Sequence, residues 1–168
     1  MKVYAHRGAS GEYPENTLLA FEQAIAQQCD GIELDVQFHH SGELVILHDR
    51  FVKTPDGQTV FFNHLPLKEL IHVAREKQHM LPTLSQALAC IAGQCEVNIE
   101  IKTADISTKT MNCLVEKLQQ VIAGAIEKQQ FKYSDFMISS FNHVLLLAIK
   151  KAIPRINTAA LIASIPQN

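Results

Sequence analysis

The 168-residue sequence has no excess of basic residues, no Cys-x-x-Cys pair, no long apolar run and no evident internal repeat. Lys and Arg total 15 against 17 Asp and Glu, a formal net charge of −2. Wholesale binding of nucleic acid or of an acidic membrane surface needs a basic excess, so both are set aside, and only a local basic pocket for a single phosphate stays open. Cys29, Cys90, Cys95 and Cys113 lack the spacing of a structural zinc site and are expected to be reduced, mostly buried thiols. The longest apolar stretches, at Val144 to Ile149 and Thr158 to Ile165, fall far short of the roughly 18 residues of a membrane span. The start, MKVYAHRG, reaches His6-Arg7 without the apolar segment of a signal peptide. A cytoplasmic protein with no stable membrane insertion is the expectation.

What the chain does have is hydrophobic content, 47%, enough for a folded core. Its length suits one domain. Strand-like and helix-like segments alternate. Strands are predicted at 2–6, 31–37, 97–101, 136–140 and 158–163, and the run at 43–48 reads as an extension or hairpin beside the second. Helices are predicted at Glu15 to Gln28, Ser107 to Gln129 and Asn142 to Lys151. Another begins at Thr83, where Gln86 completes a capping box. The stretch 50–80, with its Pro55-Asp56-Gly57 turn and a short helix at Pro66 to His72, reads as an excursion from this scaffold. Alternation of this kind argues for βαβ units with parallel strands.

In parallel α/β folds ligands gather at the C-terminal ends of the strands, and the unusual polar residues fall there. His6-Arg7 ends the first strand and His48-Asp49 ends the run at 43–48. Glu33 and Asp35 stand two apart, so both carboxylates face one side of the second strand. Like charges held together repel unless a cation relieves them, and Glu100 can supply a third oxygen from a neighbouring strand. Oxygen-only ligation favours Mg²⁺ or Ca²⁺ over zinc. The competing account of the Glu-x-Asp pattern is a solvent-facing strand side or a network of ion pairs. His6 and His48 suit a general acid–base pair. Arg7 offers planar donors to phosphate oxygens or a structural ion pair. Lys102 shares a face with Glu100 and either neutralises phosphate charge or balances the acids. Gly8 permits a tight turn and close approach of substrate. Asn16 and Thr17 are expected to begin the first helix, chiefly as caps. His39, His40, His64, His72, His79 and His143 are assigned structural or surface roles.

These residues stand in a specific ordered series: AHRGASGEYPENTLLAF at 5–21, GIELDV at 31–36, LVILHD at 44–49, PTL at 82–84, NIEIK at 98–102 and SSF at 139–141. The series resembles the glycerophosphodiester phosphodiesterase family, and the likeness runs through essentially the whole chain, thinning after Phe141. The resemblance implies a TIM-barrel fold and metal-dependent hydrolysis of a small-molecule glycerophosphodiester to glycerol 3-phosphate and an alcohol. It implies His6 and His48 as the acid–base pair, Glu33, Asp35 and Glu100 as holders of one Mg²⁺ or Ca²⁺, and Arg7 and Lys102 facing the phosphate. It also implies that the segment at about 50–81 is a small insertion that helps cover the glycerol side of a partial domain spanning 1–168. A full barrel has eight strands in typically about 250 residues. About five strands are predicted here, an incomplete α/β barrel with open edges. Truncation, degeneration, or a homo-oligomer that covers the gap would each account for this, with truncation favoured. The alternative function is a weak or inactive remnant that binds metal and phosphate or acts through self-association.

Overall fold

The computed structural model describes residues 1–76, 81–103 and 106–163. The chain runs through β1 (Tyr4–His6), α1 (Leu18–Ala26), β2 (Gly31–Phe38), β3 (Leu44–Ile46), β4 (Phe51–Lys53), β5 (Thr59–Phe61), α2 (Leu67–Glu76), α3 (Leu84–Ile91), β6 (Glu96–Ile101), α4 (Thr108–Lys128), β7 (Phe136–Ser140), α5 (His143–Ala152) and β8 (Asn157–Ala160). Strands β1-β2-β6-β7-β8 lie side by side, each neighbouring pair parallel, and β3 joins β2 antiparallel. The five predicted parallel strands are therefore present, and the run at 43–48 is the hairpin partner of β2. This α/β arrangement is consistent with an incomplete TIM-barrel-like fold. Among the described residues, no helix is long and apolar enough to cross a membrane.

The sheet has one apolar and one polar face because the strand sequences alternate. Ile32, Leu34 and Val36 of β2, Val97, Ile99 and Ile101 of β6, and Phe136 and Ile138 of β7 are all essentially inaccessible and share one core with the helices. Each such side chain contributes about 1.5–3 kcal/mol through burial. The opposite positions read Glu33, Asp35 and Gln37 on β2, Asn98 and Glu100 on β6, and Ser139 on β7. The register aligns them in rows across the strands, His6 with Glu33 and Asn98, then Asp35 with Glu100 and Ser139.

β3 links this core to a second, smaller one. Its Leu44 and Ile46 enter the main core, whereas Val45 points the other way and packs with Phe62 and Leu70. The hairpin β4-β5 and helix α2 thus form a separate layer beside the strand ends. Of the cysteines, Cys29, Cys90 and Cys95 are half-buried and all four are free. Cys113 departs from the expected burial, because it lies on the outward side of α4.

Local chemistry sets the helix starts. Thr83 accepts from the Gln86 backbone N–H at 3.2 Å and Gln86 answers at the Thr83 N–H, the predicted capping box. The first helix begins at Leu18 rather than Glu15. Asn16 sits in the left-handed region at φ 57°, and Thr17 takes the cap by accepting from the Ala20 N–H. Gly8 has φ 80°, and a Cβ placed there would lie 2.7 Å from the Ala20 carbonyl carbon. The close approach at Gly8 is thus made by α1, which the β1–α1 loop straps against the sheet.

Gly8→Ala is expected to lower the unfolding free energy by about 3 kcal/mol or more, since strain and a backbone clash combine. Gly42 has φ 89° but open space around it. Gly42→Ala should cost only about 1–2 kcal/mol. Urea denaturation of both variants checks the contrast, and equal losses would contradict the packing account.

Candidate active site

The C-terminal ends of two strands, β1 and β3, meet along one flank of β2. The other flank pairs with β6 from Gly31 to Val36, so β1 and β3 must share the remaining one. β1 ends opposite Glu33, and β3 ends opposite Val36 with the Leu47 N–H donating to the Asp35 carbonyl at 3.0 Å. His6-Arg7 and Leu47-His48 therefore arrive at either end of the stretch 33–36. The Arg7 N–H donates to the Glu33 carbonyl at 2.9 Å and to Glu33 Oε2 at 3.1 Å. Arg7 itself holds φ 57°, a left-handed conformation that costs a non-glycine residue about 1–2 kcal/mol. Strain of this kind concentrates where a side chain must be aimed.

Glu33, Asp35 and Glu100 each offer a carboxylate oxygen, and these oxygens lie within 4.8 Å of one another. Asp35 is fully buried and Glu33 is 9% exposed, so the solvent-facing account of the Glu-x-Asp pattern does not hold. The ion-pair account holds in part. Lys102 Nζ lies 2.6 Å from Glu100 Oε1 and 3.2 Å from Asp35 Oδ1, and Arg7 Nε lies 3.0 Å from Asp35 Oδ2. Arg7 Nη1 also meets Glu15 at 3.0 Å. Two cations face three central acids, and the compensation is incomplete at the level of single atoms. Glu33 Oε1, Asp35 Oδ1 and Arg7 Nε are buried without a hydrogen-bond partner; the approaches of Lys102 to Asp35 Oδ1 at 3.2 Å and of Arg7 Nε to Asp35 Oδ2 at 3.0 Å are ion pairs without hydrogen-bond geometry.

Buried carboxylate oxygens without a donor are costly unless a cation takes them. The Glu33 carboxyl carries the consequence: burial first, then the Asp35 charge, pushes it up to about 7. The Lys102 ammonium is raised by its carboxylate partners against the opposing effect of burial. A compact set of oxygen donors with two unsatisfied members fits a hard divalent cation.

His6 lies at the rim. Its Nε2 is 3.8 Å from Glu33 Oε2, and its side chain is 68% exposed. His48 stands between two clefts. One, of about 450 Å³, is lined by Glu15, Asn16, Asp49 and Lys53 together with apolar residues of the hairpin and α2. The other, of about 150 Å³, brings His48 together with Arg50, Lys102 and Phe141. His48 Nδ1 meets Asp49 Oδ1 at 2.8 Å. A carboxylate can only accept, so this contact places the ring proton on Nδ1 and leaves Nε2 as the free nitrogen. His6 lines a different cavity, of about 460 Å³, beside the β1–α1 loop.

Arg7, Glu33, Asp35, Glu100 and Lys102 are thus brought into one cluster, with His6 and His48 at its margins. The sequence reading missed Gln37, and took Asn16 for a helix cap rather than a partner of Asp35. Buried Asn16 donates from Nδ2 to Asp35 Oδ2 at 2.9 Å and accepts the Asp35 N–H at 3.2 Å, clamping the central acid. Gln37 continues the alternation of Glu33 and Asp35, and that periodicity was the signal for it. His39, assigned a structural role, is buried between Ser41 and the Leu65 carbonyl, and burial lowers its pKa. His79 lies outside the described residues.

Residues 6–168 match the model of the glycerophosphoryl diester phosphodiesterase family. The chain belongs to that family. A glycerophosphodiester phosphodiesterase of Caldanaerobacter subterraneus is 33% identical over 167 residues, covering 95% of this chain and 65% of its own length. One from Bacillus altitudinis is 32% identical, over 95% of this chain and 66% of its own. Among solved structures, an Oleispira antarctica phosphodiesterase in complex with the product sn-glycerol-3-phosphate aligns with a TM-score of 0.74 and 29% identity, covering 99% of this chain and 68% of that one. The glycerophosphodiester phosphodiesterase of Thermotoga maritima aligns with a TM-score of 0.70 and 26% identity, over 97% and 63%. The chain spans about two thirds of the length of these phosphodiesterase-family relatives.

The raised Glu33 pKa makes a signed prediction for metal-free protein. Between about 4.5 and 7 the native state holds a proton that the unfolded chain has lost, so this group makes stability fall as pH rises through that window. Below it the penalty is absent, and above it the penalty is complete. Glu33→Gln should flatten this part of the stability–pH curve, and added Mg²⁺ or Ca²⁺ should raise Tm more at pH 8 than at pH 5. A wild-type curve that rises through the window, relative to the variant, would contradict the burial account.

Proposed function

We propose that the chain is a metal-dependent hydrolase of glycerophosphodiesters, releasing glycerol 3-phosphate and an alcohol. The observation that carries this reading is the convergence of the Glu33, Asp35 and Glu100 oxygens, two of them from buried acids with an unsatisfied atom, in a chain of this family. The product named for the Oleispira structure is in keeping with it. A divalent ion, Mg²⁺ or Ca²⁺, held by the three carboxylates would neutralise them and polarise the phosphate oxygens.

The chain's own groups divide the remaining work. Lys102 and Arg7 draw the substrate phosphate to the cluster. Asn16 keeps Asp35 in place. Of His6 and His48, one takes a proton from the attacking water and the other protonates the departing alkoxide as the phosphorus–oxygen bond breaks. His48 acts through Nε2, since Nδ1 is engaged by Asp49. The segment at about 50–81 serves as an insertion over the glycerol side, and the cleft of mixed apolar and charged lining beside His48 is where part of the substrate would lie.

A second reading, an inactive remnant that binds metal and phosphate, draws on the exposure of His6 at the sheet edge formed by β1. The experiment that separates the two is turnover of glycerophosphocholine and glycerophosphoethanolamine with Mg²⁺ or Ca²⁺. The proposal expects glycerol 3-phosphate, abolished by EDTA, and a loss of at least ~10²-fold in His6→Ala or His48→Ala. Metal-dependent phosphate binding without turnover of either substrate would favour the remnant. Wild-type turnover in His48→Ala would remove its assigned role.

Lys102→Met gives a separate check. Without the ammonium between Glu100 and Asp35, calorimetry should show tighter divalent-ion binding and at least ~10-fold weaker binding of glycerol 3-phosphate. Weaker metal binding would make Lys102 a scaffold for the acids instead.

A further inference from the structure

The loop that carries His48 is held from beneath by one buried amide. Gln37 lies on the polar face of β2, two residues beyond Asp35, and is 2% exposed. Its Nε2 lies 3.0 Å from the Leu47 carbonyl oxygen, 3.1 Å from that of His48 and 3.0 Å from that of Asp49. Three consecutive carbonyls converging on one point repel one another unless a donor sits among them. A side-chain NH₂ has two protons and no charge, so it can satisfy all three by sharing. Among the described residues, the backbone of His48 and Asp49 makes no other hydrogen bond to backbone; the ladder of β3 stops at the Leu47 N–H. The Asp49 side chain is 77% exposed and cannot anchor the loop against the sheet.

We infer that Gln37 is a positioning residue for the proposed acid–base histidine: its amide fixes three successive peptide planes and thereby aims the His48 ring at the cleft it shares with Lys102. The inference rests on the proposed function for its kinetic consequence, and on the hydrogen-bond geometry alone for its structural one. Gln37 and the acid Asp35 project from the same face of the same strand. One rigid element therefore sets both the metal-side carboxylate and the histidine loop, the arrangement that catalytic alignment requires. A displacement of about 1 Å at such a group can cost on the order of 10²-fold in rate.

The test compares wild type with Gln37→Met, which keeps length and apolar contacts but removes the donor. Turnover, Tm in the presence and absence of Mg²⁺, and NMR of ¹³C-labelled histidine are measured on each, with His48→Ala assigning the His48 signal. The expected result is a kcat lower by on the order of 10- to 100-fold with KM changed less than about 3-fold, a His48 signal moved towards that of a solvent-averaged ring, and an unchanged Mg²⁺-induced rise in Tm. Gln37→Glu, which offers one proton when neutral and none when ionised, should lower kcat as well. An unmoved His48 signal with unchanged kcat in Gln37→Met overturns the inference. So does a fall in kcat accompanied by an equal loss of the Mg²⁺ response, because that marks general damage to the sheet. If wild type itself shows no turnover, the proposed function fails, and the His48 signal still decides whether Gln37 sets its position. If neither variant folds, the wild-type Gln37 side-chain NH₂ decides: slow exchange with solvent supports the anchor, and exchange at the rate of a free amide refutes it.

Discussion

A sheet face that buries acids must be paid for by cations, and this requirement organises the strand ends of the molecule. Glu33 and Asp35 are forced onto one side of β2 by strand alternation, and the parallel register then delivers Glu100 beside Asp35. Arg7 and Lys102 answer part of that charge, at 3.0 Å and 3.2 Å from Asp35. The left-handed Arg7, the left-handed Asn16 and the strap at Gly8 are local distortions that bring those partners into place. Two carboxylate oxygens remain without a donor. A hard divalent ion fits such a set of oxygens, and the proposed function places one there.

The opposite face obeys a different rule. Isoleucine, leucine and valine alternate with the polar residues along β2 and β6, and helices α1, α3, α4 and α5 cover them. This core fixes the register, since a one-residue slip would exchange the acids with the apolar side chains. The rigidity of the cluster thus comes from the face that has no chemistry.

Much of this was legible in the sequence because it follows short-range periodicity. The Ile32, Leu34, Val36 alternation marked β2, and the Thr83–Gln86 pair marked the start of α3. Glu33-x-Asp35 announced two acids on one side of a strand, and NIEIK placed Glu100 and Lys102 on a second. What was not legible depends on long-range approach. That Gly8 faces Ala20, that Asn16 reaches Asp35, and that Gln37 holds residues 47–49 are contacts between segments whose meeting no local pattern specifies. The start of α1 was missed by three residues because the left-handed Asn16 blocks a helix that composition favours.

The most direct test is a crystal structure of the protein grown with Mn²⁺, using the anomalous signal to place the ion. Mn²⁺ is an oxygen-seeking stand-in for Mg²⁺. The account predicts one ion bonded to oxygens of Glu33, Asp35 and Glu100 at about 2.0–2.6 Å, with Lys102 released from at least one acid. Saturating Mn²⁺ with no peak among these three residues, and Lys102 still bridging Asp35 and Glu100, would contradict it.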